Sequence, residues 1–143
     1  MIYSVVRPFF SLPTRAMIMH IVSIISGYAV WTVIFLGGSA VVRSTLSEVH
    51  DAEGLTTENA ALFVYLVVSV FASLAAGYMT ARISKIHQKR DVWILAIALL
   101  ATGIPVQLGV WDVLPVWYNS AFLILLVPCT LLGATFYGRQ SKV

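Results

Sequence analysis

Four stretches without a single charged residue limit what this chain can become. They cover residues 16–42, 59–81, 92–111 and 113–138, and the shortest holds 20 residues and the longest 27. An α-helix rises about 1.5 Å per residue, so roughly 20 residues cross a hydrocarbon layer of about 30 Å. Each stretch is long enough to span. A charge at mid-span would cost about 2.5–3.5 kcal/mol on the insertion scale, and none is present. Strands of a membrane barrel would alternate polar and apolar residues, and these runs do not. The expectation is an all-α, polytopic membrane protein, with one transmembrane domain over residues 1–143. Four transmembrane helices, at about 18–42, 60–81, 92–111 and 116–138, form an antiparallel bundle. An outer loop, 43–59, and an inner loop, 82–91, join them.

Composition narrows the class further. Hydrophobic residues make up 59% of the 143, charged residues 10%, and mean hydropathy is +0.90. A soluble domain is about 25% charged, so these few charges cannot cover a globular surface in water. Disorder needs low hydrophobicity. A nucleic-acid surface needs a continuous basic face, which nine Lys and Arg scattered between apolar runs do not make.

The first apolar run could be mistaken for a signal peptide, since Gly38-Ser39-Ala40 resembles a cleavage site. A signal core has about 7–15 apolar residues, and this run is longer, so an uncleaved helix is expected. Lys and Arg set the orientation. Arg7, Arg15, Arg82, Lys85, Lys89, Arg90, Arg139 and Lys142 fall on one side, and Arg43 alone on the other. The positive-inside rule places the first group, and both termini, in the cytoplasm of an inner (plasma) membrane protein. Glu48, Asp51, Glu53, Glu58 and Asp112 lie outside, and Asp91 inside. Arg7 and Arg15 flank a short leader broken by Pro8 and Pro13, which lies along the inner surface or is simply a flexible lead.

Local signals refine this plan. Thr56 or Thr57 can cap the second helix, with Glu58 in its first turn. Pro115 suits the first turn of the fourth helix. Trp111, Trp117 and Tyr118 around it favour the headgroup level. A faint repeat relates 74–85, LAAGYMTARISK, to 131–142, LLGATFYGRQSK. Duplicated hairpins would produce it, and so would any two helices leaving a membrane through small and then basic residues.

Helix-packing candidates are Ser69, Ser73, Gly77 and Ala81, spaced four apart, with Ser23 and Gly27 on the first helix and Gly133, beside Cys129, on the fourth. Small residues let backbones approach, and packing drives helix association in lipid. A solute path is the sharper reading of Pro105, Gln107, Pro128 and Ser73, because a proline frees a backbone carbonyl. Structural prolines are the plainer one. His20 could relay a proton or bind haem, or could be a hydrogen-bonded interfacial residue. Glu48, His50, Asp51 and Glu53 match no strong metal motif and read as a solvated loop.

Absences matter too. Cys129 is the lone cysteine, which excludes an intramolecular disulfide and the quinone-linked disulfide oxidoreductases that need cysteine pairs. It reads as a small packing residue. No acid or base is expected in the membrane interior, which argues against small multidrug transporters that depend on an intramembrane carboxylate. No phosphate loop, metalloprotease motif or nucleophile elbow is present, and no catalytic residue, cofactor or metal site is assigned.

The run Gly77-Tyr78-Met79-Thr80-Ala81-Arg82-Ile83 resembles the Gly-Tyr-x-x-Ala-Arg-like close of the second helix in small uncharacterised bacterial four-helix membrane proteins. Pro115–Tyr118 fits the same layout. The resemblance implies a bacterial inner-membrane protein, and no activity travels with it. The leading expectation is a non-enzymatic accessory or assembly subunit in the lipid bilayer, forming homo-oligomers or joining a membrane-protein partner. An oligomeric channel or carrier for a small neutral solute is the alternative. A redox or haem subunit using His20 is the weaker one.

Overall fold

The computed structural model describes residues 14–52 and 55–141. The expected leader with Arg7, Pro8 and Pro13, the loop residue Glu53, and Lys142 at the end of the repeat lie outside the described residues. Four helices carry the fold: α1 (Thr14–Thr45), α2 (Asn59–Ile83), α3 (Gln88–Gly109) and α4 (Val116–Ser141). Each is long and apolar enough to cross a membrane. A single 3-10 turn, Ser47–Val49, follows α1. The chain is an all-α four-helix bundle.

α1 and α2 outrun their apolar intervals, and α3 and α4 are shifted against theirs, because hydropathy locates a span, whereas backbone bonding and caps locate helix ends. α1 has 32 residues, about 48 Å. Its last turn is finished by Ser44 and Thr45, whose hydroxyls both donate to the Val41 carbonyl. α3 starts at Gln88 rather than 92, taking in Gln, Lys and Arg, which are good helix formers. Asp91 sits in its first turn, where the helix dipole favours a carboxylate. The N-cap of α2 is Glu58, with no side-chain cap bond. Thr56 instead accepts the Glu58 N–H at 3.1 Å, fixing the approach to the helix.

The ends of the bundle differ in charge. The start of α1, the α2–α3 connection and the end of α4 gather at one end with Arg15, Arg82, Lys85, Lys89, Arg90 and Arg139 (the basic end). The opposite, acidic end holds Glu48, Asp51, Glu58 and Asp112. α2 packs most extensively on α1 and α4, while the backbones of α1 and α4 stay apart and meet through long side chains such as Phe35 and Phe122. α2 is accordingly the most buried helix and α1 the least.

α2 and α4 run parallel and interlock by two glycines. A Cβ on Gly77 would strike the Thr130 carbonyl, and one on Gly133 would strike the Leu74 carbonyl. Each helix thus seats its glycine on a carbonyl of the other, three residues before the other's glycine. The two halves of the faint repeat meet along this seam, where Tyr78 and Tyr137 also cross edge to face at 5.5 Å. Gly27 does the same for α1, against Thr80, Leu95 and the Ala76 carbonyl.

Two apolar clusters fill the core. Towards the acidic end, Val42, Leu62, Tyr65, Leu66, Tyr118 and Phe122 pack with Trp31 and Phe35. Tyr118 is therefore a core residue, 5% exposed, while its neighbour Trp117 stays half exposed at the surface. Towards the basic end, Ala76, Leu95, Leu99 and Leu126 form a buried aliphatic layer, with Ile24, Tyr28, Trp31 and Leu100 packed against it.

Candidate functional site

The basic end contains a polar knot that the sequence reading did not foresee. Asp91 is fully buried, and His20, Ser23, Ser84 and Thr80 are buried around it. Its Oδ2 accepts three side chains from two elements: Ser84 Oγ at the cap of α2 at 2.5 Å, and His20 Nδ1 and Ser23 Oγ of α1 at 2.7 and 3.3 Å. Ser23 has one proton and shares it with the His20 carbonyl at 2.8 Å. Thr80 then donates to the Ser23 carbonyl at 3.1 Å. One carboxylate oxygen therefore ties α1, the cap of α2 and the first turn of α3.

Asp91, expected on the inner side at the end of the loop 82–91, stands at the basic end in the first turn of α3, and its burial there was not anticipated. A carboxylate stripped of water is costly unless paired and hydrogen-bonded. Here Oδ2 is well served, while Oδ1 has no hydrogen-bond partner. Only Arg90 Nε approaches it, at 3.6 Å from a half-exposed side chain, and an exposed ion pair contributes little. Two sequence signals pointed to the knot. Asp91 is the lone acid on the basic side, and His20 sits in an apolar span where a buried ring needs a partner.

The bond to Asp91 fixes the His20 ring. A carboxylate accepts, so Nδ1 carries a proton. Nε2 is buried without a partner. The exposed His87 ring stacks on His20 at 5.4 Å with 28° between planes. Stacked rings this close cannot clamp the two faces of a porphyrin. Nor is a nucleophile placed at Nε2, since both nearby serines are spent on Asp91.

The other candidates separate. Ser69, Ser73, Ala81, Ser23, Gly27, Gly77 and Gly133 are all buried between helices of this one chain. Ser73 accepts the Trp31 indole N–H at 3.1 Å. Gln107 is buried with its Oε1 unpartnered. Pro105 and Pro128 lie on exposed faces, and the aliphatic layer of Leu95, Leu99 and Leu126 stands between the polar knot and Gln107. In the outer loop, His50 Nδ1 donates to the Leu46 carbonyl at 2.7 Å and its Nε2 pairs with the Tyr65 hydroxyl at 2.8 Å. Asp51 Oδ1 accepts the Leu55 N–H at 2.8 Å. These two loop side chains are committed to shaping the loop.

Comparison with protein-family models, with curated proteins and with solved structures returns no match.

Proposed function

We propose that this chain is a non-catalytic subunit of a bacterial inner membrane that offers the outer face of α1 to a further membrane helix, from a partner protein or another copy. The basic end faces the cytoplasm under the positive-inside rule. The observation that carries the reading is Gly37. Gly27, Gly77 and Gly133 each press against another helix, yet Gly37 is exposed in the span of α1 with nothing within 4 Å of a Cβ built on it. Val33, Leu36 and Val41 beside it are 70%, 61% and 64% exposed. A glycine within a helix costs about 1 kcal/mol relative to alanine, and a close helix neighbour is the usual return for that cost in lipid.

Crosslinking in native membranes followed by purification in mild detergent tests this. The wild-type chain is expected in a complex or oligomer. Gly37→Leu should reduce that species at least tenfold, whereas Ile124→Phe on the exposed face of α4 leaves it intact. A wild-type chain found only as monomer, or a Gly37→Leu chain that associates normally, removes the proposal.

The carrier reading has less support. Its prolines face outward, and an aliphatic layer crosses the bundle. Asp91 stands at the basic end, outside the uncharged interval 92–111, and its carboxylate is held by three donors.

A further inference from the structure

We infer that the groove between α3 and α4 at the basic end binds one anionic phospholipid. The groove has a volume of about 620 Å³, within the roughly 300–1,000 Å³ common for small-ligand sites. Its walls change character in the order a lipid does. Leu131 and Ala134 of α4 and Val92 of α3 form an apolar floor, and Lys89 and Arg139 stand over it. Leu131, Thr135 and Arg139 follow one another at four-residue spacing on α4, so floor and cation are separated by about 12 Å along the axis. That matches an acyl chain below and a phosphate above.

Charge agrees with shape. Among the described residues, no acidic side chain lines the groove. The first turn of α3 also opens onto it, and the His87 N-cap makes no side-chain cap bond. Asp91 already meets the dipole of that turn, so Lys89 and Arg139 carry the charge of the site. Trp93 is half exposed at the same wall, where an indole suits the headgroup boundary. Basic pockets between membrane helices on the cytoplasmic side commonly hold anionic headgroups. This site lies on α3 and α4 and does not depend on the α1 face.

The test is native mass spectrometry of the detergent-purified full chain, titrated with phosphatidylglycerol and, separately, phosphatidylcholine. Phosphatidylglycerol should be retained in preference. The double variant K89Q/R139Q should weaken its binding about 30-fold, the effect of two surface cations. R15Q/R82Q removes as much charge from the same end, outside the groove, and should change binding less than threefold. Thr135→Trp, which plugs the groove with both cations in place, should also lose the lipid. Thermal unfolding without added lipid should be unchanged in the K89Q/R139Q chain. Equal losses in the two double variants, equal retention of phosphatidylcholine, or displacement of the lipid by an equal concentration of inorganic phosphate would each overturn the inference.

Discussion

The two ends of the bundle are held by different forces. At the acidic end, rings do the joining: Phe35 stacks on Trp31 at 4.8 Å and meets Phe122 at 5.6 Å, with Tyr65 and Tyr118 beside them. At the basic end, the helices are tied by a buried carboxylate and by backbone contact at glycines. Ring packing is built from many small, interchangeable contacts. A polar knot in a dry site is all or nothing, because removing one partner strands the rest. The basic end should therefore be the brittle one.

The largest expected effect follows from that contrast. Asp91→Ala strands His20, Ser84 and Ser23 together and should cost about 3–5 kcal/mol, measured by reversible unfolding in detergent micelles. Combined with His20→Ala, the loss should fall well short of the sum of the single variants, since the two groups share one interaction. An Asp91→Ala chain within 1 kcal/mol of the wild type would mean that the knot is incidental.

Next comes the glycine seam. Gly133→Ala forces its Cβ into the Leu74 carbonyl and should cost about 1–3 kcal/mol. Gly109→Ala, with open space around it at the other end of the bundle, should be neutral by the same assay. Equal behaviour of the two would erase the proposed asymmetry.

The smallest effect belongs to the acidic end. Tyr65→Phe removes the hydroxyl that meets His50 Nε2, but a partly exposed ring can turn to water. A loss of about 0.5–1.5 kcal/mol is expected, visible as a modest fall in unfolding temperature. A larger loss than that of Asp91→Ala would reverse the comparison.

The same asymmetry explains what could be read in advance. Apolar length is a strong signal in a chain that must satisfy every backbone group inside lipid, so four helices were legible from the gaps between charges. The small residues were legible as packing positions. Which neighbour each one meets was not, because α2 pairs with α4 across an intervening helix. Asp91 was hidden for a different reason. Counting charges assigns it to the polar side of a boundary, and only the extra turn of α3 folds it back beneath His20. Tyr118 was misplaced likewise, since its sequence neighbours Trp111 and Trp117 suggest a surface belt, yet its own helix face turns inward.

The glycine seam also bears on the order in which the bundle comes together. Leu74 and Gly77 emerge from synthesis 56 residues ahead of Thr130 and Gly133, with all of α3 in between. Until the last helix inserts, the α4-facing surface of α2 has no close neighbour, and the first three helices hold through α1, the polar knot and the packing of Ala76 on Leu95 and Leu99. A nascent chain paused before α4 would therefore carry an open backbone face in the bilayer, and the final insertion would act as the latch that closes the assembly.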